Sequence, residues 1–273
     1  MSERKFTVIG ISDSRGQLFS SEVISIIKNG KVFSGGKRHH GIIAHLLPSD
    51  AVWIDITVPL ENVFREYIPH AEVVVFASGD PLFFGYAVTL QRVFPDAQME
   101  VFPTFNSLQL LAHKLRLPYS DMICVSLTGR SWKNLDVALM RNQQTIGVLT
   151  DRKKGPSEIA ERMLYYGYGN YVMTIGERLG NSAETVRTLS LTDASETEFR
   201  NPNCVILQMT ERKDRFFGIP ENLFSHLEGR SNMITKMPVR LMSLAMMDLF
   251  GKSVMWDVGF CTGSVSIEAK VQF

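Results

Sequence analysis

The segment Ala77-Ser78-Gly79-Asp80-Pro81-Leu82-Phe83-Phe84-Gly85 follows directly on an apolar run, Val73 to Ala77, that reads as a strand. A Gly-Asp-Pro turn at the carboxyl end of a parallel strand lies where open α/β sheets bind ligands, because the loops there face a crevice. Gly79 would let a ligand approach the backbone closely, and Pro81 would stiffen the turn. The same residues also make an ordinary strand-to-helix turn with Asp80 as N-cap, so local chemistry leaves both readings open. The first turn, Val8-Ile9-Gly10-Ile11-Ser12-Asp13-Ser14, has Ser12 where a second glycine would stand in a dinucleotide fingerprint, and alone it speaks weakly for a nucleotide.

A second kind of chemistry sits in Ser34-Gly35-Gly36-Lys37-Arg38-His39-His40, where four potentially cationic side chains follow a Gly pair. Read as a flexible loop, this stretch can bind carboxylates or phosphates, Arg38 in bidentate fashion, or it is simply solvated. Adjacent histidines share no helical face, and no Cys or carboxylate stands nearby at ligand spacing, so no metal is expected. Arg152-Lys153-Lys154-Gly155 reads as a solvated basic turn. Cys124, Cys204 and Cys261 are far apart and without C-x-x-C pairing, as reduced core thiols would be.

The elements that must position these residues follow from hydrophobic period. Phe6–Ile9, Val52–Ile56, Val73–Ala77, Met99–Phe102, Ile123–Leu127 and Ile146–Thr150 read as strands, with helices near 20–28, 84–94, 106–115 and 156–166 between them. That alternation predicts an α/β fold with a mostly parallel sheet. After Asn170 the strand-like runs Tyr171–Ile175, Val186–Leu191 and Cys204–Met209 are separated by turns, which predicts antiparallel pairing. The charged stretch from Glu211 to Arg215 reads as a linker, with a domain boundary near 214, giving domains 1–213 and 214–273. Beyond it, 238–250 has helical period, and Ser253–Val258 reads as a strand entering Gly259-Phe260-Cys261-Thr262-Gly263.

A chain of 273 residues with 45% hydrophobic and 21% charged residues has ordinary globular composition, and its net charge of +1 offers no global attraction to nucleic acid or anionic membranes. No apolar run reaches the roughly 18 residues of a membrane span, and no signal-peptide pattern opens the chain, so a cytoplasmic protein is expected.

The ordered run VIGIS, SGGKRHH, ASGDPLFFG, PTFNSLQLLAHKLRLP, VSLTGR, GVLTD and GERLG, across residues 5–210, resembles the cobalamin-pathway branch of the tetrapyrrole methylases. The order of the seven motifs is far more specific than any one of them. The stretch from Gly218 to Glu268 is similar to the opening of a partner methyltransferase domain of Rossmann type. The resemblance implies a tetrapyrrole-methylase fold of two α/β lobes with S-adenosylmethionine in the cleft between them. The positions it implies for that cofactor are Gly10, Ile11, Gly79, Asp80, Pro81, Phe83, Asn106, Ser107 and Leu127, with a second cofactor on Asp257, Gly259 and Gly263. Ser12 and the pair Phe260-Cys261 depart from the family pattern and narrow the space for a ligand.

The activity implied is C-methylation of a precorrin, at C5 of a precorrin-6B or precorrin-7 type intermediate, by a homo-oligomer. Lys37, Arg38, His39 and Arg130 are the residues expected to pair with the acetate and propionate arms of the acceptor. The reaction would be direct displacement at the sulfonium methyl group, for which no catalytic base is named. Relatives of the same fold that modify a diphthamide precursor or ribosomal RNA, and a non-catalytic tetrapyrrole carrier, are the alternatives. Residues 218–273 are expected to be loosely held or to borrow a surface, the alternative being a complete small appendage with a role of its own. The acidic residue that grips a ribose stands roughly 20 positions after the glycine motif, beyond Phe273, so C15 methylation with decarboxylation is not expected of these residues.

Overall fold

The computed structural model describes residues 4–14, 16–212, 217–252 and 254–273. The chain divides into two compact units, one of residues 1–135 and 144–210, the other of 136–143 and 211–273. The division falls between Thr210 and Glu211; the expected boundary near 214 lies outside the described residues.

The first unit holds two sheets. One consists of β1 (Lys5–Ile11), β2 (Val32–Gly35), β3 (Val52–Asp55), β4 (Glu72–Ser78) and β5 (Gln98–Phe102), in the order β3-β2-β4-β1-β5 and parallel throughout. Alternate residues of β1 and β4 point to opposite faces, which is why both strands carry apolar residues on both faces. Phe6, Val8, Val73 and Val75 join one core cluster, and Ile9, Ile11, Val74 and Phe76 join the other. The helices α1 (Ser21–Asn29), α2 (Lys37–Ile43), α3 (Leu60–Tyr67) and α4 (Tyr86–Val93) connect these strands.

The second sheet is mixed, as the turn-rich sequence after Asn170 predicts. Its strands β6 (Ile123–Ser126), β7 (Thr145–Leu149), β8 (Tyr171–Glu177), β9 (Thr185–Ser190) and β10 (Asn203–Met209) run in the order β6-β7-β10-β8-β9. Only β6 and β7 pair in parallel; β10 is antiparallel to β7 and β8, and β8 to β9. Between the two sheets in sequence lies α5 (Ser107–Leu115), whose Leu108, Leu111 and Ala112 pack with Cys204 and Ile206 of β10. The helix α6 (Lys133–Met140) belongs from Asp136 onward to the other unit, while α7 (Pro156–Tyr165) and α8 (Leu191–Ser195) complete the order of this one.

Two expectations are corrected here. The basic stretch 34–40 is no flexible loop: it is the end of β2 followed by the first turn of α2. Gly35 is fixed by packing, since a Cβ there would come within 2.9 Å of the Trp53 ring. Gly36 is the N-cap, with its N–H directed at His39 Nδ1 at 3.4 Å. Further on, Val254 to Asp257 carry no strand, and Ser253, the start of the expected one, lies outside the described residues. A Rossmann-type opening is therefore not seen among the described residues.

The second unit is built on α9 (Met237–Met246) and α10 (Ser264–Gln272). Its centre is an ion pair, Arg240 Nε to Glu268 Oε2 at 3.1 Å, with both side chains fully buried. Glu268 also accepts from the Gly218 and Ile219 N–H groups, and Arg240 donates to the Thr235 and Ile219 carbonyls while lying over the Phe224 ring. The carboxyl of Glu268 is held below its usual range by these partners against the opposing effect of burial. No helix among the described residues is long and apolar enough to cross a membrane.

Candidate functional site

In the first unit a cavity of about 420 Å³ opens where the carboxyl ends of β1 and β4 face residues of the second sheet. Ile11, Ser12 and Asp13 line it from β1, Ala77 to Gly79 from β4, and Leu149, Gly176, Leu179 and Asn203 from the second sheet and its turns. Phe83, Asn106, Ser107 and Leu110 complete much of the wall.

The glycines here are required by chain packing. A Cβ on Gly10 would collide with the Gly79 carbonyl and come within 2.8 Å of the Thr104 nitrogen; one on Gly79 would come within 2.7 Å of the Asn106 Cα. Gly79 also takes φ +62°, in the region that favours glycine. It donates to the Ile11 carbonyl at 2.9 Å and accepts from Thr104 N–H at 3.3 Å. So the ends of β1 and β4 and the residues after β5 are drawn together, which forms the cavity floor. The close approach that Gly79 permits is that of Asn106.

Asp80 is not the N-cap of α4, since that position belongs to Gly85. Its Oδ1 accepts from Leu82 N–H at 2.9 Å, closing the turn. Asn106 caps α5 reciprocally: its Oδ1 accepts from Gln109 N–H and Gln109 Oε1 accepts from Asn106 N–H, both at 3.0 Å. That leaves the Asn106 Nδ2 donor without a partner among the described residues, on a side chain that lines the cavity.

Of the nine positions expected around a cofactor in the first unit, Ile11, Gly79, Phe83, Asn106 and Ser107 line the cavity. Gly10, Asp80 and Pro81 shape its loops from behind. Leu127 is buried just after β6, its N–H bonded to the Leu149 carbonyl at 2.8 Å, outside the lining. In the second unit Gly259 and Gly263 take φ +77° and +70°, and Asp257 Oδ2 accepts from Ser266 Oγ at 2.6 Å.

The four basic positions do not act as one set. Arg38 and His39 line the cavity, whereas Lys37 and Arg130 are not among its lining residues. Arg38 is already partnered: Nη1 lies 2.5 Å from Asp13 Oδ1 and Nη2 donates to Ser78 Oγ at 2.8 Å. His39 Nε2 lies 2.9 Å from the same hydroxyl. Burial, with the Arg38 charge beside it, pushes the His39 pKa down to about 4. His39 is thus neutral at pH 7, and the expected cationic cluster becomes an Arg38–Asp13 pair braced by Ser78. Asp13 also receives Asn181 Nδ2 at 3.4 Å from the turn after β8, so it links both sides of the cavity.

Sequence reasoning missed Asp13, Ser78, Tyr86 and Asn203. Tyr86 lines the cavity and ends a buried chain in which its hydroxyl lies 3.5 Å from that of Tyr67, itself 2.6 Å from Ser34 Oγ. Burial raises the pKa of both phenols, so they stay protonated. For Asp13 and Ser78 a signal existed, since both stand at the carboxyl ends of predicted strands.

Residues 5–195 match the family described as Tetrapyrrole (Corrin/Porphyrin) Methylases. The chain belongs to the tetrapyrrole methylase family. Among curated members, the precorrin-6Y C(5,15)-methyltransferase [decarboxylating] of Sinorhizobium sp is 31% identical over 266 residues, 96% of this chain and 63% of that protein. This tetrapyrrole methylase thus spans less than two thirds of that relative's length. The cobalt-precorrin-7 C(5)-methyltransferase of Salmonella typhimurium is 26% identical over 185 residues, 67% of this chain and 89% of that one. Among solved structures, the uroporphyrin-III C-methyltransferase of Thermus thermophilus complexed with S-adenosyl homocysteine superposes with a TM-score of 0.56 at 22% identity, covering 75% of this chain and 92% of that chain. At that identity the likeness shows the fold.

Proposed function

We propose that this tetrapyrrole methylase transfers a methyl group from S-adenosylmethionine to a ring carbon of a precorrin in cobalamin synthesis, and that the carbon is C5. The observation that carries the reading is the cavity enclosed by β1, β4, α5 and the second sheet in a chain of this family. Its volume of about 420 Å³ suits a nucleoside-sized ligand. Its wall offers apolar side chains, Phe83, Leu110, Leu149 and Leu179, beside the free Asn106 donor and Ser107. Those residues, with the backbone at Ile11 and Gly79, would hold the cofactor, while Gly10, Asp80 and Pro81 keep the loop in shape.

When bound, S-adenosylmethionine supplies an electrophilic methyl group. The chain's own work is to hold the acceptor carbon at near-attack distance, about 3–3.5 Å, and to exclude water. Ile11, Phe76 and Phe83 provide a dry wall for that purpose. The acceptor's electron-rich carbon needs no activation by a base, so none is assigned.

Assignment to C5 draws on coverage. The Salmonella C5 enzyme is matched over 89% of its length by 67% of this chain. A stretch of 185 residues of this chain is thus matched to an enzyme named for one methylation, which supports assigning a single transfer. The test supplies purified protein with labelled S-adenosylmethionine and precorrin-7, and counts added methyl groups and released carbon dioxide by mass spectrometry. One methyl at C5 without carbon dioxide is expected. Tetrapyrrole binding without transfer would make the protein a carrier, and carbon dioxide release would place a second active site on these residues.

A further inference from the structure

Two loops at the mouth of this cavity carry cations that the reaction has not used. The loop 127–130 follows β6 and the loop 150–154 follows β7; these strands are parallel neighbours, so both loops leave the same end of the sheet. They are tied into one body. Asp151 Oδ2 accepts from Gly129 N–H at 3.2 Å, and Asp151 Oδ1 accepts from the N–H groups of Lys153 and Lys154, both at 2.8 Å. Lys154 Nζ reaches across to the Arg130 carbonyl at 2.7 Å, and Thr128 Oγ1 to the Thr150 carbonyl at 3.0 Å. The only carboxylate of the two loops is thereby consumed in joining them, with Lys154 close to it at 3.8 Å. Arg130, Arg152 and Lys153 are left exposed and without a carboxylate partner among the described residues.

This body adjoins the cavity at two points. Leu149, the last residue of β7, lines the cavity, and Thr150 Oγ1 donates to the carbonyl of Asn203, another lining residue. At the other point the Arg130 guanidinium lies over the Phe84 ring, 5.1 Å from its centroid. Phe84 also lines the cavity, is 41% exposed, and takes φ +54°, a left-handed conformation unfavourable for a bulky residue. Such strain tends to persist where it serves a site. Here it presents an aromatic ring at the mouth, which fixes the Arg130 charge there.

We infer that Arg130, Arg152 and Lys153 form the rim that receives the carboxylate arms of the acceptor. The inference rests on the acceptor being a precorrin, a macrocycle edged with acetate and propionate groups. It keeps Arg130, a position the family resemblance already implied, and moves the rest of the anion-binding role from 37–39, where Arg38 is spent on Asp13, to 152–153, a turn whose sequence reads as merely solvated. Three charges without a carboxylate partner among the described residues, spread over two adjacent loops, suit a ligand that presents several carboxylates around one disc. A nucleic acid would call for a longer basic stripe.

The test uses the full chain and a stable corrinoid heptacarboxylate, cobyrinic acid, with its neutral heptamethyl ester, each followed by absorbance in ultrafiltration. The acid should bind, and its binding should weaken as salt rises. The triple variant Arg130→Gln, Arg152→Gln, Lys153→Gln should weaken it by about tenfold or more, since each exposed pair contributes modestly. Affinity for S-adenosylhomocysteine, read by calorimetry, should be the same in both proteins, which also shows that the variant is folded. Equal acid binding by parent and variant, no acid binding by the parent, or ester binding as tight as the acid would each overturn the rim. So would a 12-nucleotide single strand that binds as tightly as the acid. Failure of S-adenosylhomocysteine to bind the parent would instead strike the proposed function, and it is read in a separate experiment.

Discussion

In residues 1–135 and 144–210, alternate strand residues bury apolar side chains on both faces of one sheet, and α5 closes onto the other. Residues 211–273 bury only Phe224, Ile234, Leu244 and Ala269 as hydrophobics among those described, and these accompany a buried arginine and glutamate. Met242, Met246, Phe250, Trp256 and Val258 meanwhile stay largely exposed. Apolar burial is non-directional and tolerates exchange of one hydrophobe for another. A buried ion pair is directional and stabilises only while both members and their hydrogen bonds are present. The two units should therefore fail in different ways when single residues are changed.

The largest effect is expected at the ion pair. Arg240→Met leaves the Glu268 carboxylate buried without its counter-charge, a change that costs about 3–5 kcal/mol when a buried pair is broken from one side. Amide hydrogen exchange should then speed up at Gly218, Ile219 and through α9, while β1 and β4 stay protected. The double variant Arg240→Met, Glu268→Gln should recover part of the loss. Loss of protection in β1 would show that the units are not independent.

Next in size is the floor of the cavity. Gly10→Ala places a methyl group into the Gly79 carbonyl and Thr104, and overpacking of this kind costs about 1–3 kcal/mol. Because the strand ends must part to admit it, both the melting temperature and S-adenosylhomocysteine affinity should fall. A drop in stability with unchanged affinity would separate the floor from the ligand site.

A smaller difference separates Asn106 from Asp80. Asn106→Ala removes the free Nδ2 donor and the cap of α5 together, and should weaken S-adenosylhomocysteine by about 1–2 kcal/mol. Asp80→Ala removes only the acceptor for Leu82 N–H, outside the lining, and should weaken it by less. Calorimetry on both variants decides the order, and a larger loss at Asp80 would return that carboxylate to the site itself.

The parts of this architecture that could be read from sequence are those with a strong period or strong punctuation. β4 was legible because Val73 to Ala77 is apolar without interruption and ends in Gly-Asp-Pro, and α5 because 106–115 carries a helical period. β2 escaped because it is four residues long and Gly35 ends it, a glycine whose reason is the Trp53 ring from the neighbouring strand. The partners of Arg38 were illegible for the same cause. Asp13 and Ser78 lie 25 and 40 positions away, and only the parallel order of β2, β4 and β1 brings them together. The ion pair of the second unit was invisible too, since Arg240 and Glu268 each look like a surface charge on an amphipathic helix.

The least effect at neutral pH is expected at His39, where sequence suggested a cation and the structure holds a neutral ring. Its pKa in the folded protein is about 4, against 6.5 for a free imidazole, because burial and then the Arg38 charge disfavour the protonated form. Above pH 6.5 both folded and unfolded chains carry the ring neutral, so it makes no pH-dependent contribution there and its share of stability is fully present. As pH falls from 6.5 toward 4 the unfolded chain takes up a proton that the folded chain refuses, and stability drops through that window. Below about 4 the folded protein also binds the proton and the slope vanishes. An NMR titration of the His39 ring should find its midpoint near 4, and His39→Gln should flatten the acid side of the stability profile between pH 4 and 6.5 while leaving corrinoid affinity at pH 7 unchanged. A midpoint near 6.5, or a loss of cobyrinic acid binding in that variant at pH 7, would restore residues 37–39 as a cationic contact for the acceptor and weaken the case for the loops at 130 and 152–153.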